Sequence, residues 1–391
     1  MQKKAFFIKP RALSLAALIV CAAGAVHAQG TLQSFAQNIY SVSADGKTAV
    51  MGTTNTGAVS MIDVGTGTVT NIGGFVGSGG RALISADGSA IAGAVKDASN
   101  NYVSARYDVA THTWTALPTL GGSASGTATS TWSISADGRY IGGFGYAAGS
   151  TSSRGYLVDT QTGQTTNLVT TGGRVQGISP NASMLFGQLG GSAGSVWNRN
   201  GDGSYTQTTL TAPEAPGQAL NILGASSNNG LWATGASFNT TLPYRVNAQT
   251  GEIQYMAKLN VYATPGAISE DGQTVIGRTS PQGGTLAQST AYIWRAAATD
   301  TPGDNMVDGT VVSLHDYLAG YGIDTANQYS FLSGVAMNAD ATVFAFIGLN
   351  KQTQDVMYFI ATVPEPSQYA LRAAGLGVVG LLARRRRKTA D

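Results

Sequence analysis

Groups able to do acid–base or metal chemistry are few in this chain, and their spacing does not gather them. The three histidines are His27, His112 and His315. The last two stand far apart, neither has a second histidine at ligand spacing, and no zinc site is expected. Away from the two ends, glutamate is limited to Glu214, Glu252 and Glu270. A carboxylate pair could do glycosidase chemistry, and aspartates could contribute. Most of them, however, fall in recurring turns (Asp45, Asp87, Asp137, Asp271) or at strand ends beside hairpins (Asp63, Asp108, Asp159). Nothing singular remains to nominate as acid or nucleophile. Asn198-x-Asn200-x-Asp202-Gly203 has the opening spacing of a calcium loop, but Thr209 stands where a bidentate glutamate is needed, so a hairpin turn is expected. No catalytic residue, metal or cofactor is assigned.

The groups left with chemistry to offer are Arg81, Trp132 and Arg174. Each stands at or near the entrance of a strand, after the loops Gly73 to Gly80, Thr119 to Thr131 and Thr171 to Arg174. Together they could line a polar rim able to hold an exopolysaccharide, with Trp132 as a stacking platform. The plainer reading is that they only finish the strands they precede.

What would position them is a repeat. Ser43-Ala44-Asp45-Gly46 recurs as Ser85-Ala86-Asp87-Gly88, Ser135-Ala136-Asp137-Gly138 and Ser269-Glu270-Asp271-Gly272. Weaker copies are Ser179-Pro180-Asn181-Ala182, Ser227-Asn228-Asn229-Gly230 and Asn338-Ala339-Asp340-Ala341, so the third residues are spaced by 42, 50, 44, 48, 42 and 69. An apolar residue precedes most copies. Glycine stands six residues after the third position in five of them: Gly93, Gly143, Gly187, Gly235 and Gly277. Asp-Gly between apolar runs predicts a hairpin with a type I′ turn, in which both central residues have positive φ. A second hairpin follows in each unit, as in Gly155-Tyr156-Leu157-Val158-Asp159 turning at Thr162-Gly163. Two hairpins make four strands. Residues 29–363 divided among seven copies give about 48 each, near the size of a propeller blade. After the last copy the chain supplies only Thr342 to Leu349 and Asp355 to Thr362, while Thr31 to Ala36 has no partner ahead of the first. If the N-terminal stretch completes the last blade, the ring closes. The fold class expected is therefore all-β, a seven-bladed β-propeller; a β-solenoid or sandwich is the alternative. The long step contains the non-repeating piece 296–331, a cap or a blade decoration. Within it, Leu314, Tyr317 and Leu318 share one face of a short helix.

The ends read as address labels. Lys3, Lys4, Lys9 and Arg11 precede an apolar run from Ala12 to Ala25, which closes on Val26-His27-Ala28: a signal peptide over 1–28, helical in its core and cleaved after Ala28. Cys21, the only cysteine, leaves with it. At the other end Val363-Pro364-Glu365-Pro366-Ser367 precedes an apolar segment from Tyr369 to Ala383, then Arg384, Arg385, Arg386, Arg387 and Lys388. Fifteen helical residues span about 22 Å against roughly 30 Å of hydrocarbon, a short transmembrane helix with its basic end retained in the cytoplasm. This tail, 364–391, is similar to the PEP-CTERM sorting signal of Gram-negative bacteria. Pro364, Glu365 and Pro366 match that family's recognition element; Arg372 departs from its apolar pattern. The resemblance implies processing by an exosortase-type enzyme after passage through the secretion translocon and a transient inner-membrane stage. It further implies delivery to the cell envelope or extracellular matrix, in the setting of exopolysaccharide and biofilm. The repeats resemble extracellular HAF repeats, best at Leu117-Pro118-Thr119-Leu120-Gly121-Gly122 leading into Ile134-Ser135-Ala136-Asp137-Gly138. No catalytic residue is assigned to that family.

Composition fits these parts. The 52 glycines lack a collagen period, and the charged fraction of 11% with 43% hydrophobic residues excludes a disordered chain. The overall charge of +2 hides a cancellation. The leader has +4 and the segment after Val363, with six basic and two acidic groups, another +4, leaving 13 basic against 19 acidic residues in the body, or −6. Nucleic acid is not an expected partner. The expected molecule is an exported, non-catalytic propeller, with a secreted glycosidase or lyase as the alternative. Two acidic or basic groups with shifted pKa values converging on the channel mouth would favour the enzyme; a mouth of serine, threonine and glycine would favour the binder.

Overall fold

The repeated serine turn is held by its own side chains. In the third copy the Ser135 hydroxyl donates to Asp137 Oδ1 at 2.6 Å and accepts the Tyr140 N–H at 2.9 Å, while the same carboxylate oxygen accepts the Arg139 N–H at 3.1 Å. Copies one, two and six repeat the pattern around Ser43, Ser85 and Ser269. The expected type I′ geometry is corrected. Gly138 N–H bonds back to Ser135 C=O and has φ +68°, but neither Ala136 nor Asp137 has positive φ, so the turn is of type I followed by a left-handed glycine. The aspartate, pulled onto serine and the following amides, keeps right-handed backbone. Ser135→Ala would leave the buried Tyr140 N–H without its acceptor; we expect a loss of about 2 kcal/mol, read as a lower urea midpoint at unchanged m.

A computed structural model describes residues 29–53, 57–168, 172–190, 193–213, 215–220, 226–236, 242–260, 262–299 and 305–364. The signal peptide with Ala28, and the tail from Glu365 through Ser367 to the basic run 384–388, lie outside them. The described strands form seven four-stranded sheets arranged as blades. Blade 1 runs Asn38–Val42, Thr48–Gly52, Val59–Asp63 and Val69–Gly73; blades 2, 3 and 4 repeat this meander up to Tyr205–Thr209. Blade 7 takes Tyr329–Met337, Val343–Asn350 and Val356–Thr362, and its fourth strand is Thr31–Phe35, antiparallel with Thr31 opposite Thr362 and Phe35 opposite Tyr358. The two ends thus close the ring, as the unpaired N-terminal stretch predicted, and the solenoid and sandwich alternatives fall.

The core is distributed. Seven hydrophobic clusters among the described residues occupy the seven junctions between neighbouring blades, including Ile39, Ala49 and Ile62 of blade 1 against Val343, Ala345 and Ile360 of blade 7. The serine turns stitch the same junctions: Ala44 N–H to Ala86 C=O, Asp87 N–H to Ala136 C=O, Glu270 N–H to Ala339 C=O and Ala339 N–H to Ala44 C=O. That explains why the turn recurs with its side-chain lock.

The insertion 296–331 is divided between two blades. Met306–Val307 adds in parallel outside Ile253–Met256, the last strand of blade 5's own meander, and Gly309–Ser313 pairs with Thr290–Ala296 as the outer strand of blade 6. The helix α1, Leu314–Ala319, follows, capped by the Ser313 hydroxyl accepting from Asp316 N–H. Leu314 and Leu318 are fully buried in the cluster between blades 6 and 7, so α1 packs into the body.

Candidate functional site

The first strand of each blade is innermost, and five of these strands carry a β-bulge at the same place. Register skips Tyr40, Trp132, Gln176, Gly266 and Val335, each three residues before its turn serine or asparagine. A bulge re-aims one side chain, and Tyr40, Trp132, Gln176 and Val335 line the channel. The spaced glycines permit it. A Cβ on Gly143 would lie 1.9 Å from Ser130 C=O, and one on Gly187 2.0 Å from Arg174 C=O.

The channel holds a cup of about 80 Å³ with lining from all seven blades. Asn228 Nδ2 of blade 5 donates across it to Val42 C=O of blade 1 at 2.8 Å, at the turn end of the strands. Small hydroxyls in the wall are spent on neighbouring blades: Ser133 Oγ donates to Val175 C=O at 3.2 Å, and Ser41 Oγ accepts the Ile84 N–H at 2.9 Å.

The three residues singled out by sequence converge here. The Arg81 guanidinium carbon lies 5.0 Å from the Trp132 ring centroid, and that of Arg174 lies 3.8 Å from the same centroid. They come from the blades flanking that of Trp132. The indole is therefore stacked against guanidinium groups. Neither arginine is in an ion pair among the described residues. Two other stacked arginines differ: Arg139, over Tyr140, pairs with Asp159 at 2.7 Å, and Arg245, over Trp232, donates to Gln254 Oε1 and Gly272 C=O. Burial lowers the pKa of Arg81, and burial together with the Arg81 charge lowers that of Arg174 to about 10; a guanidinium keeps its proton in proteins at neutral pH. Trp132 Nε1, Arg174 Nε and Gln176 Oε1 are buried without a hydrogen-bond partner. Each such group left dry costs about 1–3 kcal/mol. Sequence reasoning missed Gln176 and Tyr40; Gly187 was the signal of the bulge at Gln176, whereas blade 1 has Met51 at that place and gave none for Tyr40.

The remaining chemical candidates stand apart. His112 is in a turn at φ +56° with Nδ1 3.1 Å from the Tyr107 hydroxyl. His315 is stacked on Phe331, its Nε2 accepts the Phe331 N–H, and burial with the nearby Lys351 lowers its pKa. Glu252 accepts from Gln254, Glu270 lies on the blade 6 turn, where burial and Asp340 raise its pKa, and Glu214 is outside the described residues. Residues 200–204 form a hairpin turn in which Asp202 accepts from Ser204.

Fold and site together define a class: a seven-bladed β-propeller with an arginine-bearing channel. Its likeness to solved propellers is one of fold. Oligogalacturonate lyase in complex with manganese aligns with a TM-score of 0.52 at 14% identity, covering 86% of this chain and 97% of that one. The β-propeller domain of the Trilobed protease from Pyrococcus furiosus, described as having an open velcro topology, aligns at 0.51 and 10%, covering 86% and 96%. No curated protein matches the sequence. The tail is more specific: residues 362–388 match the PEP-CTERM protein-sorting motif, which implies an exported protein processed by an exosortase-type enzyme and sorted to the cell envelope. Val363, at the start of that motif, is buried, and its N–H donates to Thr342 C=O, so the motif follows the last bond of blade 7 without a linker.

Proposed function

We propose that the body, built from HAF-like repeats, is a non-catalytic binding propeller sorted through its C-terminal signal to the outer surface or extracellular matrix of a Gram-negative cell, where it holds an exopolysaccharide at the channel mouth. The observation that carries this reading is the pair of guanidinium groups on Trp132 with no carboxylate beside them. Among the described residues lining the cup Arg81 is the one charged side chain, Arg174 joining the site through its stack on Trp132, and serine, alanine and branched aliphatic residues make much of the wall. That composition supports retention of a ligand over acid–base turnover. Alanine substitution of Arg81, Trp132 and Arg174 together is expected to release the protein from matrix polysaccharide; unchanged retention would end the proposal. For sorting, intact mass of the cell-associated protein should show loss of Arg384 to Lys388, and a surface-bound product that keeps them contradicts it.

One observation favours the enzymatic alternative. Two basic groups with lowered pKa values do converge, and the Tyr40 phenol shares the cup. With a pKa of about 10, however, Arg174 is protonated about a thousandfold over its neutral form at pH 7 and is a poor proton acceptor. Appearance of unsaturated ends on a polyuronide incubated with the full chain would favour the lyase.

A further inference from the structure

The unpartnered groups of the cup specify more than a saccharide. Among the described residues nothing accepts the protons of Trp132 Nε1 and Arg174 Nε, and the Arg81 guanidinium, 5.0 Å from the Trp132 ring, makes no ion pair. Gln176 Oε1, on a side chain only 6% exposed, is an acceptor with no donor. A neutral sugar would leave two desolvated positive charges uncompensated. A bare inorganic anion would match the arginines but set its negative oxygens against the glutamine carbonyl. An acid that also carries hydroxyl groups satisfies both kinds of group. Size agrees: about 80 Å³ holds roughly five to eight waters, the space of a single sugar ring. The surrounding body, at −6, repels anions generally, so the arginine pair is a local exception and a selective one.

We propose that the channel cup binds one uronic-acid residue of an acidic polysaccharide, with its carboxylate on Arg81 and Arg174 beside Trp132 Nε1 and a ring hydroxyl donating to Gln176 Oε1. The proposal rests on the polysaccharide-binding reading above and names the chemistry of that ligand. Gln176 is the specificity-determining residue, since it separates a hydroxy acid from a simple anion.

Calorimetric titration of the full chain in detergent tests this with polyglucuronate, with the neutral glucan made by reducing its carboxyl groups, and with monomeric glucuronate, acetate and sulfate. Polyglucuronate is expected to bind at least tenfold more tightly than the neutral polymer. Arg81→Gln and Arg174→Gln should each weaken it at least tenfold, and Gln176→Leu should weaken polyglucuronate but leave acetate unchanged. Urea midpoints near that of the parent show that the variants are folded, and Arg81→Lys, which keeps the charge, should recover part of the affinity. Equal affinity for the neutral polymer overturns the acid assignment and leaves the polysaccharide reading standing. Acetate or sulfate binding as tightly as monomeric glucuronate overturns the role of Gln176. Failure of both polymers to bind overturns the polysaccharide reading itself.

Discussion

Deleting Thr31–Phe35 is expected to abolish cooperative folding of the body. Five residues pair with Val356–Thr362 in this strand, and net backbone hydrogen bonds contribute about 1 kcal/mol each. Leu32 packs on the cluster between blades 6 and 7 and Phe35 on that between blades 7 and 1, each contributing about 1 kcal/mol for half-burial. Gln33 Nε2 also donates to Val64 C=O of blade 1 at 3.0 Å, and Gly30 N–H to Tyr321 C=O at 2.9 Å. The combined loss, about 6–8 kcal/mol, is comparable to the whole stability of an ordinary domain. It falls at the junction that converts a row of blades into a ring, and it strips the edge of Val356–Thr362, a ready template for intermolecular pairing. Urea unfolding followed by tryptophan fluorescence, with light scattering in parallel, should show a broad, early transition and association. A midpoint equal to that of the parent would mean that the ring does not depend on this strand.

The ring itself was legible in the sequence because its signals are local and repeated. A serine, an aspartate and a glycine at fixed spacing report a turn whatever surrounds it, and the leftover strands at the two ends could be counted against each other. Blade 5 was less legible. Its outermost strand, Met306–Val307, comes from about fifty residues downstream and pairs in parallel, and two residues have no periodicity to read. Arg81, Trp132 and Arg174 could be nominated from their places at strand entrances, but not their stacking, which depends on how three blades meet. Gln176 was invisible for a different reason. Alternation along Gly173–Ile178 assigns each side chain to a face, and the bulge between Val175 and Gly177 breaks that alternation. The turn geometry was misjudged because Asp-Gly is common to two turn types, and it is the serine hydroxyl on the aspartate that selects between them.

The Gly187→Ala variant separates the bulge from the turns and links stability to the site. Gly187 stands opposite Val175, just before the bulge at Gln176. An added Cβ would fall 2.0 Å from Arg174 C=O and 3.0 Å from the fully buried Trp197 ring. Ordinary contact begins near 3.4 Å, so the inner strand would have to retreat by more than an ångström from a tightly packed neighbour. Overpacking of this kind costs about 1–3 kcal/mol against side chains that can rotate; against a backbone carbonyl and a buried indole, about 4 kcal/mol is expected. The displaced strand carries Arg174 and Gln176, so polyglucuronate affinity should fall with stability, although neither residue has been changed. Gly190→Ala is the internal control. It lies in the same hairpin at φ +55° with open space around its Cβ position, so it carries the left-handed strain of about 1 kcal/mol without the collision, and affinity should be retained. If the two variants unfold at the same urea concentration, backbone conformation rather than close approach sets the requirement for glycine. If Gly187→Ala is destabilised but binds normally, the bulge does not position the cup.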